Sequence, residues 1–164
     1  MQPTLSETPD QRQSRSMARL AAVQARYQQA LSGTTTAHLL HEFHRHRLGD
    51  APDWQEENDQ QDGPLRAADR PFFDDLVSGS LARADEIDST IGRFLGAGWT
   101  LDRLDTLLLQ ILRLGAYELL ARADVPRAAV VSEYVDVARA FYEQREAGFV
   151  NALLDRLGRS VRPD

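Results

Sequence analysis

The sequence predicts an all-α fold, a compact helical bundle of about seven helices in two lobes. Apolar residues recur at spacings of three and four through the chain, and capping or breaking residues punctuate those runs. The valine-rich segment from Val130 to Phe141 keeps helical spacing over too many residues for a strand, with Glu133, Asp136, Arg139 and Glu143 on its outer side.

Met1 to Pro9 is polar, contains two prolines and has no apolar period, which predicts a disordered N-terminal tail. The first helix begins between Asp10 and Ser16 and runs to about Leu31, where Ser32 and Gly33 stop it. At about 100° per residue, Met17, Leu20, Gln24, Tyr27 and Leu31 share one face, and Arg12, Arg15, Arg19 and Arg26 gather beside it. Such a stripe can meet RNA phosphates through charge-assisted hydrogen bonds, with Tyr27 offering a ring to a base. The same pattern also describes the solvated face of an ordinary amphipathic helix.

A second helix spans Thr35 to Arg47, with Leu39, Leu40, Phe43 and Leu48 as its apolar contacts. Its four histidines, His38, His41, His44 and His46, lack a cysteine pair or acidic cluster to complete a metal site, so no metal is expected. Residues 49–69 contain Pro52, Gly63, Pro64 and many acids and amides, and read as a long acidic loop. Asp69 and Pro71 then mark a helix start, with Phe72, Phe73, Leu76, Val77 and Leu81 facing inward and a bend near Ala84 or Asp85. Ile87, Ile91, Phe94 and Leu95 continue as a short helix closed by Gly96 and Gly98, with Trp99 anchoring the next turn.

The most apolar stretch, Leu101 to Pro126, reads as the central helix, because its apolar residues occupy well over half the circumference. Thr100 is placed to cap it, Asp102 lies in its first turn and Arg122 in its last. Gly115 suits a close helix crossing, although an ordinary small residue would read the same. A sixth helix follows Pro126, and Gly148 breaks or starts the turn into a seventh carrying Phe149, Val150, Leu153, Leu154 and Leu157.

Composition narrows the function classes. Without cysteine there is no disulfide framework or thiolate metal site, which is compatible with a reducing cytoplasm. No apolar run approaches the roughly 20 residues that span a bilayer, so no membrane is expected as a partner and a cytoplasmic location is. The net charge of −6 conceals an asymmetry: basic from Gln11 to Leu48, acidic from Gly49 to Thr90. All nineteen basic residues are arginine. No nucleophile elbow, phosphate loop or dinucleotide fingerprint is present, so neither catalysis nor a cofactor is expected.

The segments ILRLGAYELLARADVP and GFVNALLDRL, with ARLAAVQARYQ near the N-terminus, resemble the NusB family of transcription antitermination factors. The YEL, DVP and FVN elements stand in that family's order and spacing, and only the acidic middle falls outside the resemblance. It implies a single NusB-like helical domain over 10–164, with an N-terminal lobe over about 10–69 and a C-terminal lobe over about 70–162. It also implies a non-enzymatic factor that binds boxA RNA with the small-subunit ribosomal protein NusE and supports rRNA transcription within the RNA polymerase antitermination complex. Monomer and homodimer both remain open.

By this resemblance the RNA-binding residues are Arg12, Arg15, Arg19, Gln24, Arg26 and Tyr27, and Phe72, Phe73, Leu76 and Leu108 present the NusE surface. Asn151 of FVN caps or bridges helices and also lies near RNA. The chain departs from the family where Ser16 and Met17 interrupt the arginine run, at Leu108 in place of an acid, at Ser132 in place of asparagine and at Gly148 in place of lysine. These departures leave a second reading, a helical protein-binding adaptor that keeps the NusE contact with little specific RNA binding.

Overall fold

A computed structural model describes residues 7–46, 48 and 67–163. Among these residues there are seven α-helices and no strand: α1 Pro9–Ser32, α2 Thr36–His46, α3 Arg70–Ala82, α4 Ala84–Gly92, α5 Thr106–Ala121, α6 Arg127–Phe141 and α7 Gln144–Val161. The all-α expectation holds. The first six residues of the expected tail, and all of the expected acidic loop except 67–69, lie outside the described residues.

The start of α1 is fixed by a reciprocal cap. Thr8 Oγ1 accepts from the Gln11 backbone N–H at 3.2 Å, and Gln11 Oε1 accepts from the Thr8 N–H at 2.8 Å. Thr8 and Pro9, expected in the tail, therefore belong to the helix start. Gly33 ends α1 with φ 70°, a left-handed conformation open to glycine at little steric cost. At α3, Asp69 accepts from the Phe72 N–H at 3.0 Å while Pro71 occupies the first turn, as the sequence predicts.

Helix α5 is the hub. Its residues from Leu108 to Leu112 and Leu114 to Leu119 are all buried, and it packs against α1, α3, α4, α6 and α7. It begins later than expected, because Leu104 takes an extended conformation (φ −81°, ψ 145°) that separates it from a single 3-10 turn, Leu101–Arg103. Gly115 marks a close crossing: a Cβ there would lie 2.7 Å from Leu154 Cδ1 and 3.3 Å from Tyr134 Cδ2. Helix α3, assigned to the C-terminal lobe by sequence, packs chiefly on α1.

Trp99 is 55% exposed, and Arg103 flanks its ring at 5.7 Å while donating to the Gly98 carbonyl, so this stack ties the turn. Two further expectations are corrected. Gly148 neither breaks nor starts a helix, since α7 begins at Gln144 and runs through it. Phe141, expected on the apolar face of α6, sits at that helix's last turn and is largely exposed.

The C-terminal end of α5 is held from a distance. The Arg162 guanidinium donates to the carbonyls of Glu118, Leu119, Arg122 and Val125 at 2.5–2.7 Å, although Glu118 and Arg122 also accept backbone N–H groups of the turn that follows. Between α2 and α3, His44 Nε2 lies 2.6 Å from Asp74 Oδ1. Among the described residues no helix is long and apolar enough to cross a membrane.

Candidate nucleic-acid interface

The first five turns of α1 carry the arginines that sequence reasoning groups as one stripe, and the structure separates them. Arg12 is exposed. Arg15, one turn on, is partly covered: its Nη1 lies 3.0 Å from Glu7 Oε1 and 3.5 Å from Asp124 Oδ2, and its Nε lies 3.8 Å from Asp69 Oδ2.

Arg19 faces the interior. Its Nε and Nη2 donate to the two Glu118 carboxylate oxygens at 2.6 and 3.1 Å, and Glu133 Oε1 lies 3.7 Å from Nη1. Burial alone would lower the Arg19 pKa, but the hydrogen bond to Glu118 and its charge outweigh that and hold it above the usual value. The Tyr134 hydroxyl also donates to Glu118, at 2.7 Å, and burial followed by the Glu118 charge pushes its pKa far up. Arg19, Glu118 and Tyr134 thus form one closed network beneath α1.

Arg26 is also buried, and donates to Ser80 Oγ at 2.6 Å. Burial, reinforced by the like charge of Arg113, lowers its pKa. Only Arg12 and Arg15 of the expected stripe therefore reach solvent. Arg19 and Arg26 turn inward because α5 and α3 supply buried polar partners that a long guanidinium stem can reach. Gln24 and Tyr27 are half-buried on the same helix, with Tyr27 near Tyr142, the residue that follows α6.

Phe72, Phe73, Leu76 and Leu108, expected to present a partner surface, are core residues, because α3 is packed against α1 and α5. Phe72 has a distinct task. The guanidinium carbons of Arg15, Arg19 and Arg122 lie 4.7, 5.0 and 4.9 Å from its ring centroid, so three cations gather on one aromatic ring. Arg122 in turn binds Asp75 at 3.2 Å and Asp124 at 3.0 Å, and the Tyr117 hydroxyl donates to Asp75 at 2.7 Å. Burial and that hydrogen bond push the Tyr117 pKa up to about 12. Burial opposes ionisation of Asp124, but Arg122 prevails and holds it below the usual carboxylate value.

Alongside this cluster, Ser16 Oγ donates to Glu133 at 2.8 Å, tying α1 to α6. The next residue back on α6, Ser132, lines a groove of about 380 Å³ between α6 and α7, together with Arg139, Gln144, Gly148, Asn151 and Asp155. Gly148 leaves open space where a side chain would stand.

Sequence reasoning missed Glu118, Tyr134, Glu133, Asp75 and Asp124 as partners of the arginines. One signal was available: Glu118 stands inside an otherwise apolar run on a helix buried on every side, and such a charge requires a cation.

A family model described as the NusB family matches residues 16–159. The chain belongs to the NusB family. It is 58% identical over 150 residues to the transcription antitermination protein NusB of Sphingopyxis alaskensis, covering 92% of this chain and 95% of that one. To the protein of the same name from Caulobacter vibrioides it is 43% identical, with the same coverage. Its fold matches T. maritima NusB with a TM-score of 0.70 at 24% identity, over 96% of both chains. It also matches a crystal structure of the antitermination factors NusB and NusE with dsRNA, with a TM-score of 0.67 at 23% identity, over 88% of this chain and 96% of that one.

Proposed function

We propose that this NusB-family chain is a cytoplasmic transcription antitermination factor that binds boxA RNA together with NusE and so supports rRNA transcription by RNA polymerase. It acts by binding, as a single domain, without catalysis. The observation that carries this reading is the 58% identity, over nearly the whole chain, to a protein named transcription antitermination protein NusB.

In this reading Arg12 and Arg15 hold phosphates, with Gln24 and Tyr27 further along the same helix, while Arg19 sets the position of that helix from inside and Arg26 is turned in against Ser80. Phe72, Phe73, Leu76 and Leu108 support the NusE surface from beneath by fixing α3 against α5. Fluorescence anisotropy of labelled boxA RNA, with and without NusE and against a scrambled RNA, tests it: specific binding strengthened by NusE is expected.

The adaptor reading has one observation in its favour, the inward turn of two of the four arginines. NusE binding with equal, weak affinity for both RNAs would select it.

A further inference from the structure

The carboxylates around Arg15 come from three separate parts of the chain. Glu7 precedes α1, Asp69 caps α3, and Asp124 lies in the turn after α5. A fourth, Glu133 on α6, approaches Arg19 and accepts from Ser16 one turn of α1 away. Arg15 remains partly open, with 23% of its side chain exposed, and its guanidinium is set against the Phe72 ring. A cation in this position is formed and oriented, yet already neutralised.

Resting on the RNA-binding reading, we infer that this carboxylate cluster is an autoinhibitory contact: Glu7, Asp69 and Asp124 occupy the place of RNA phosphate on Arg15, and RNA binds by exchanging with them. Carboxylate and phosphate oxygens present the same acceptors to a guanidinium fork, so the two compete for one donor set. Glu7 is the readiest to leave, since it stands before the first helical turn and is bound to no helix by a cap hydrogen bond of its own. Asp69 is held by its capping bond to Phe72, and Asp124 by Arg122. Exchange therefore begins at Glu7 and leaves the other two as a graded brake.

The device also sets the salt response. Releasing a carboxylate when phosphate arrives opposes part of the counterion release that ordinarily drives nucleic-acid binding. The intact protein should then show a shallower salt dependence than a variant without the competing acid.

The test measures the same labelled boxA RNA by anisotropy across a salt series. The proteins are wild type, Glu7→Gln, Glu7→Gln/Asp69→Asn, Arg15→Ala, Arg15→Ala/Glu7→Gln, and the charge-matched control Asp85→Asn, an exposed acid outside the cluster. Asparagine at 69 retains an acceptor for the α3 cap, and circular dichroism checks folding. Glu7→Gln should tighten binding about two- to five-fold, the range of a surface ion pair, and steepen the salt dependence. Glu7→Gln/Asp69→Asn should tighten it further, and Arg15→Ala should abolish the gain from Glu7→Gln.

Arg15-dependent RNA binding that ignores Glu7→Gln would overturn the autoinhibitory contact and leave the RNA-binding reading standing. Equal gains in Asp85→Asn, or gains that persist without Arg15, would overturn it too, since net charge would then explain them. RNA binding by the substituted proteins but not by wild type would support the contact in its strongest form. Failure of every protein to bind would end both readings together.

Discussion

Arg19 Nε donates to Glu118 Oε1 at 2.6 Å across 99 residues of sequence, and both side chains are closed off from water. This pair decides how α1 lies on α5. It makes Arg19 a strut, and leaves Arg15, one turn earlier, partly open to solvent.

Removing one partner of a buried pair strands the other charge, so Arg19→Ala should destabilise the protein by about 3–5 kcal/mol. Urea unfolding measures this. Adding Glu118→Leu to Arg19→Ala should lower the total loss below the sum of the single effects, because the stranded carboxylate is then gone. A loss under 1 kcal/mol for Arg19→Ala would remove the strut.

Arg26 is the contrasting case. Its hydrogen bond goes to Ser80, not to a carboxylate, and Ser80 also donates to the Val77 carbonyl at 3.1 Å, so losing Arg26 orphans no hydroxyl. Arg26→Met should therefore be neutral or stabilising, by up to about 4 kcal/mol. A large fall in melting temperature would contradict this.

Tyr117 predicts a loss of stability at alkaline pH. Its folded pKa, about 12, lies above the unfolded value of 10.0, so its contribution is complete below pH 10 and is lost as pH rises toward 12. Tyr134, whose pKa burial also raises, acts in the same direction, and the lowered Arg26 pKa acts in the opposite one. Tyr117→Phe should make the fall in unfolding free energy between pH 10 and 12 shallower. An unchanged slope would show that Tyr117 is not its source.

Gly115→Ala should destabilise by about 1–3 kcal/mol despite alanine's better helix propensity, since the new methyl meets the buried Leu154 and Tyr134. Thermal unfolding measures it, and Gly115→Ala combined with Leu154→Val should recover part of the loss. A stabilised Gly115→Ala would mean the crossing is looser than this geometry.

The helices were legible because their caps and apolar periods are local. Asp69 and Pro71 announce a helix start within three residues, whereas the cap formed by Thr8 and Gln11, equally local, stands inside a polar, proline-bearing stretch that reads as tail. The late start of α5 was not legible, because the extended Leu104 interrupts an apolar pattern that continues through it. The site was half legible for a related reason. Periodicity assigns every arginine outward, whereas the inward turns of Arg19 and Arg26 depend on partners 99 and 54 residues away. Arg162 shows the same limit, reaching 40 to 44 residues back to close the end of α5 on Glu118 and Arg122.

The central claim is that Arg12 and Arg15 of α1 hold RNA while the buried Arg19 holds the helix. Its most direct test is the affinity of Arg12→Ala/Arg15→Ala for labelled boxA RNA, with NusE present, over a salt series and beside wild type. The account predicts an intact fold, weaker binding, and a salt slope reduced by about 0.7 per lost phosphate contact. Unchanged affinity and slope in a folded protein would contradict it.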